Sequence, residues 1–278
     1  MNRPKPLDNF PVIRSHDIEV VRDAIAGFYA KPVLIPGRGV KVIDATLNNC
    51  RLHHIEVAYA AFGADVRLQY PETDFFSLLL PVHGKGAIVS GKASSALSVK
   101  SGTMVPAHAS HQVDYSAAYA HLVLRIKSQT LTEKLSAVTG VEINEPLRLE
   151  LQQDSVDPAS QMLERYVPLL VNTLSAAKAP FPEWWVEQTE QLLMTMILCS
   201  RRHNYSRLLE REWPTVAPAQ VRKAEEYLAA NPSQPVTLEK LAEVTGVSAF
   251  SLFRSFKQSR GYSPQEFLER LRSKREIS

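Results

Sequence analysis

The chain has 278 residues, 45% hydrophobic and 22% charged, with a formal net charge of +3. That length accommodates two domains, each with its own core, and no apolar run approaches the roughly 20 residues of a membrane helix. The start, Met1-Asn-Arg-Pro-Lys-Pro6, has no apolar export core, and the widely separated Cys50 and Cys199 suit a reducing cytoplasm rather than a disulfide.

A helix is expected over Ile18–Tyr29, followed by short alternating apolar runs bounded by Gly, Pro, Asn and Asp. The strands expected are Val40–Ala45, His54–Tyr59, Val66–Tyr70, Phe75–Val82, Gly86–Ser90, Ala96–Val99, Thr103–Val105, Gln112–Tyr115 and His121–Ile126. Turns are marked at Gly63-Ala-Asp65, His83-Gly84-Lys85, Gly91-Lys92 and Ser101-Gly102. Many short strands at this spacing point to a sandwich or small barrel, whose interior holds packed side chains or one small ligand.

His53, His54, His83, His108, His111 and His121 all fall in this region. A metal site needs convergent imidazoles and carboxylates. His53 and His54 are adjacent, so on a strand they face opposite ways, and His108 and His111 follow Pro106 with no Glu close by. No metal, no cofactor and no catalytic residue is therefore assigned.

From Ser155 to His203 the period turns helical, with Met162, Tyr166, Leu169, Leu170, Val171 and Leu174 in one stretch. Trp185, Leu192, Leu193, Met196 and Ile197 follow in a second, beyond Ala179-Pro-Phe-Pro182. These helices are expected to pack on the barrel, and part of their apolar surface is a candidate dimer interface. Arg211–Pro218 reads as a linker.

Beyond it, Val221, Ala224 and Leu228 give a helix from about Ala219 to Asn231-Pro232. Thr237 caps a second, with Leu238, Leu241 and Ala242 on one face, and Gly246 supplies the left-handed residue of a sharp turn. Ser248 caps a third helix with an inward stripe of Leu252 and Phe256, stopped by Gly261. Its other stripe, Phe250, Phe253, Arg254 and Lys257, follows helical spacing and has no place in that core. Two aromatics and two cations on one exposed face make a major-groove reading surface. The candidate DNA-binding residues are Ser248, Ala249, Phe250, Ser251, Phe253, Arg254 and Lys257. Ser263-Pro-Gln-Glu266 forms a capping box for a further helix, with Phe267, Leu268 and Leu271 inward.

From Thr215 onward there are ten Lys/Arg against seven Asp/Glu, leaving twenty-two of each in the rest of the chain. The positive excess thus belongs to the helix-turn-helix segment, the footprint expected of phosphate contacts. Arg260, Arg270, Arg272, Lys274 and Arg275 are its further candidates for them.

The pattern Leu-x-x-Leu-Ala-x-x-x-Gly-Val-Ser from Leu238, continued by Phe-Lys-x-x-x-Gly-x-Ser-Pro from Phe256, resembles the AraC/XylS family of bacterial transcription regulators. Phe75–Gly86, Gly91, Val99–Pro106 and Leu122–Ile126 are similar to the cupin-like effector domain that many of its members carry. The resemblance implies an α+β chain with three parts. They are a cupin-like β-barrel effector-binding domain (1–150), a helical connecting and dimerisation region (151–214) and an all-α helix-turn-helix domain (215–278). It implies a ligand-responsive, sequence-specific, cytoplasmic regulator rather than an enzyme. The partners implied are double-stranded promoter DNA, an unidentified small-molecule effector, a second copy of the chain and RNA polymerase, with no membrane. Family members usually carry two helix-turn-helix units. Here Arg272-Ser273 stands where Arg-Leu is expected, and the second unit is missing. The alternatives are a truncated, DNA-incompetent regulator that dimerises with relatives, and a cupin-type metal-dependent enzyme.

Overall fold

The computed structural model describes residues 4–28, 31–99, 101–151, 157–210, 219–232, 236–260 and 262–276. The chain divides into two compact units, Met1–Glu210 and Arg211–Ser278. The linker expected at 211–218 and the helix stop at Gly261 lie outside the described residues.

The first unit runs β1 (Pro11–Ser15), α1 (Ile18–Phe28), β2 (Val33–Pro36), β3 (Ala45–Arg51), β4 (Ile55–Ala61), β5 (Val66–Tyr70) and β6 (Phe75–His83). It continues with β7 (Gly86–Ser90), β8 (Ala93–Leu97), β9 (Thr103–Val105), β10 (His111–Tyr115) and β11 (Ala120–Lys127). Four helices follow, α2 (Ser128–Thr139), α3 (Pro158–Ala176), α4 (Glu183–Ser200) and α5 (Ser206–Glu210). The strands form two antiparallel sheets, ordered β1-β3-β4-β11-β6-β9 and β2-β5-β10-β7-β8, a cupin-like double-sheet barrel.

β11 shows why two layers of core form. Its residues are buried from Ala120 to Ile126, and successive side chains of a strand point to opposite faces. Leu122, Leu124 and Ile126 join a core with Leu131 and Leu135 of α2, Leu163 and Val167 of α3, and Leu193 and Ile197 of α4. Val123 faces the other way, into the inter-sheet core with Leu68, Ile88 and Val113. The helices therefore share one apolar core with the six-stranded sheet. At one edge of it the buried Glu190 carboxylate of α4 accepts from the His54 and Ile55 N–H groups, at 2.6 and 2.8 Å.

The strand expected at Val40–Ala45 is a correction, because pairing begins at Ala45 and runs to Arg51. Within it Asn48 is buried, and its Nδ2 donates to the Pro6 carbonyl at 2.7 Å. A strand side chain satisfied by the amino-terminal segment is invisible to local propensity. β8 likewise starts three residues before the expected Ala96, because Ser90 pairs with Ala93 across Gly91-Lys92 and sets the register. β1, β2 and α2 were not foreseen.

The second unit comprises α6 (Ala219–Ala230), α7 (Leu238–Thr245), α8 (Ala249–Arg260) and α9 (Pro264–Glu276). Thr237 Oγ1 accepts from the Lys240 N–H at 3.3 Å, and Gly246 ends α7 at φ +74°, in the left-handed region that costs glycine little. Ser248 Oγ accepts from the Ser251 N–H at 3.2 Å, capping α8. Ser263 Oγ accepts from the Glu266 N–H at 3.2 Å while the Glu266 carboxylate accepts from the Ser263 N–H at 2.5 Å, a reciprocal capping box. The backbone bond at Ser263 holds the Glu266 carboxyl below its ordinary pKa. Val221, Ala224, Leu228, Leu241, Leu252, Phe256 and Leu268 make the core.

Candidate nucleic-acid interface and interior cavity

α8 has two faces with opposite fates. Leu252 and Phe256 are wholly buried, whereas Phe250 is 74% and Phe253 38% exposed. Arg254, Lys257 and Ser251 are exposed beside them, with Ser248 exposed at the cap and Ala249 half-buried. Neither Arg254 nor Lys257 forms an ion pair among the described residues. All seven candidate residues thus lie on or at the start of one helix, and Phe250 and Phe253 are held in water because Leu252 and Phe256 already fill the core.

Arg260 departs from the phosphate-contact expectation. Its guanidinium is bidentate on Glu225, with Nε at 2.6 Å and Nη2 at 2.9 Å, and both side chains are largely buried. That pair fixes α8 to α6 and neutralises the charge. Arg270 lies 4.2 Å over the Tyr262 ring, and Arg272 Nε donates to the Pro232 carbonyl at 2.7 Å; both remain exposed cations. The side chains of Lys274 and Arg275 lie outside the described residues.

The first unit holds a partly open cavity of about 40 Å³ between its sheets, lined by Ser77, by apolar side chains and by the rings of Phe62, Tyr70, Phe75, His111, Tyr115 and His121. Tyr115 is the centre of an aromatic stack. Its ring lies 5.7 Å from Phe62, 4.7 Å from Tyr119 and 4.9 Å from His121. His121 Nε2 sits 3.4 Å from the Tyr115 hydroxyl, while His121 Nδ1 and the Tyr119 hydroxyl are buried without a partner. Burial pushes the His121 pKa down to about 3 and the Tyr119 pKa up, because a charge there has lost its water. His111 is likewise lowered by burial.

Sequence reasoning named no cavity residue. The available signal was a histidine at the odd, sandwich-facing positions of β11, in register with Val123. The other histidines do not converge. His108 Nε2 bonds Ser128 Oγ at 3.2 Å, and the His53 and His54 rings sit edge to face at 6.5 Å. Among the described residues no three His, Cys, Asp or Glu side chains come close enough to hold a metal ion. At one end of the barrel Arg51 and Arg125 both pair with Glu56, and Arg125 lies 4.6 Å over the Phe75 ring. Among the described residues no helix is long and apolar enough to cross a membrane.

Residues 21–198 match the AraC-binding-like domain. The probable thc operon regulatory protein of Rhodococcus erythropolis is 30% identical over 152 residues, which is 54% of this chain and 46% of that protein. The HTH-type transcriptional regulator RipA of Corynebacterium glutamicum is 43% identical over 54 residues, 19% of this chain and 16% of that one. The chain therefore spans about half the length of the first curated relative and a sixth of the second. The AraC-like transcriptional activator CuxR shares the fold, with a TM-score of 0.50 at 13% identity over 95% of this chain and 93% of its own. With the domain match running through well over half of its length, the chain belongs to the AraC-binding-like family.

Proposed function

We propose that the protein is a cytoplasmic, ligand-responsive transcription regulator that binds promoter DNA through α8 and a small effector inside the cupin-like barrel. The observation that carries the DNA half is the exposed Phe250, Phe253, Arg254 and Lys257 face over a Leu252 and Phe256 core stripe. Arg254 reads a base edge or the adjacent phosphate, Lys257 takes a phosphate, and the two phenylalanines touch thymine methyls. Ser248, Ala249 and Ser251 bring the first turn of α8 against the duplex. A second copy docks on the α3 and α4 surface, where Met162, Leu169, Trp184 and Leu192 are exposed. RNA polymerase is the further partner at the promoter. The regulatory names of both curated relatives support this reading.

The test is a titration of the full chain against a site selected from a random duplex library and against scrambled DNA. Arg254→Ala is expected to lose about 1–3 kcal/mol of discrimination at one base position. An equal loss on specific and scrambled duplexes would remove the base-reading role.

A further inference from the structure

The interior cavity has a chemical bias sharper than "a small molecule". Among the described residues, no Lys, Arg, Asp or Glu lines it. A charged ligand would leave water with no counter-charge to meet it, which is unfavourable in a largely apolar space. His121 does not supply one, since its fully buried imidazole is held neutral at ordinary pH. What the wall offers instead is ring faces, from Phe62, Tyr70, Phe75 and Tyr115, the Ser77 hydroxyl, and unused hydrogen-bonding capacity at His121 Nδ1. A buried polar atom without a partner is costly, and a ligand that pairs it recovers that cost. The near-parallel Tyr115 and Tyr119 rings, 9° apart, already favour planar stacking at this spot.

Size sets a second constraint. The space of about 40 Å³ holds water and not a six-membered ring, which needs a cavity on the order of 150 Å³. One lining element must therefore give way. Ile25 on α1 is the one helical residue in the wall, the rest belonging to the strands or the β4 end. Helix α1 is not part of either ladder of hydrogen-bonded strands, so it moves at lower cost than they do.

We infer that the cavity takes an uncharged, ring-sized aromatic ligand with a single hydrogen-bonding group, of the phenol or indole class, anchored on His121 and admitted by displacement of α1. This rests on the reading of the cavity as an effector site, and it adds the ligand's class, its anchor and its way in.

The experiment uses the full chain at pH 7 with phenol, indole, toluene, benzoate and glucose, followed by calorimetric titration and thermal melting. Phenol and indole are expected to bind about tenfold more tightly than toluene, the worth of one hydrogen bond, with benzoate and glucose not binding. In His121→Phe the tenfold preference disappears while toluene still binds. The proposal is overturned if benzoate or glucose binds as tightly as phenol, if no ring probe binds, or if His121→Phe keeps the preference. Should that variant not fold, the ¹⁵N resonance of Nδ1 in the unaltered protein decides. A shift on adding phenol but not toluene supports the anchor, and no shift overturns it. Amide exchange over residues 18–28 that is unchanged by phenol overturns the route past α1. The DNA titration needs no ligand, so its failure would remove the regulator reading without touching this one; glucose or benzoate binding would do the reverse.

Discussion

Replacing Phe256 and Phe250 by alanine, one at a time, separates the two faces of α8. Phe256 is fully buried, with the Tyr262 and Phe267 rings 6.3 and 6.0 Å away. Truncating such a ring costs about 3–5 kcal/mol, transfer and cavity together. The second unit has roughly 70 residues, and stability of about 0.05–0.15 kcal/mol per residue gives it about 3–10 kcal/mol in all. Phe256→Ala is therefore expected to remove much or all of its stability. Phe250, 74% exposed, buries only about a quarter of its ring. Full burial of a phenylalanine is worth up to about 3 kcal/mol, so Phe250→Ala costs less than about 1 kcal/mol. A domain this size shifts its midpoint by about 4–8 °C per kcal/mol. Scanning calorimetry of the full chain should then show a fall of at least about 12 °C for Phe256→Ala and at most about 8 °C for Phe250→Ala. Fluorescence anisotropy should show DNA binding weakened in both, in Phe250→Ala with the unit still folded. Equal melting shifts in the two variants would refute the assignment of faces.

Gly246→Ala meets no atom within 4 Å but retains φ +74°, so its cost is backbone strain alone, about 1–2 kcal/mol; an unchanged melting temperature would show that the turn relaxes. Stability should fall on acidification. His121 is neutral in the folded chain down to a pKa of about 3, while the unfolded chain takes up the proton below pH about 6.5. The unfolded state thus binds more protons between those limits, and stability drops by up to about 1.4 kcal/mol per pH unit as pH falls through them. Denaturant melts from pH 7 to 4 check this, and His121→Phe should flatten the profile, the lowered pKa values of His111 and His203 leaving a remainder of the same sign. Neutralising three to five phosphates gives a log–log salt slope of about −3 to −5 for DNA binding. Lys257→Gln should reduce its magnitude by about 1, while Arg260→Gln leaves it unchanged because Glu225 holds that charge in the free protein; a reduction in Arg260→Gln would contradict the pairing.

The sequence by itself determined the elements whose signals are local. α8 and α9 were legible because Ser248, Ser263 and Glu266 satisfy backbone donors only a few residues away, and Gly246 takes a conformation that its own lack of a Cβ permits. β5, β7 and β9 were legible because turn residues bound them on both sides. The exposed stripe of α8 also followed from helical spacing, since Leu252 and Phe256 leave no room in the same core for Phe250 and Arg254.

Tertiary structure decided the rest, wherever a residue's partner lies far along the chain. Asn48 belongs inside β3 because the Pro6 carbonyl receives its amide, and Arg260 is a strut because Glu225, on another helix, receives its guanidinium. His121 becomes the polar anchor of the cavity through burial against Tyr115 and Tyr119, not through any neighbour in a motif. Local patterns report the hydrogen bonds and helix faces that a segment satisfies within itself. Buried polar contacts, and the charge states they impose, depend on which distant strands the two sheets bring together.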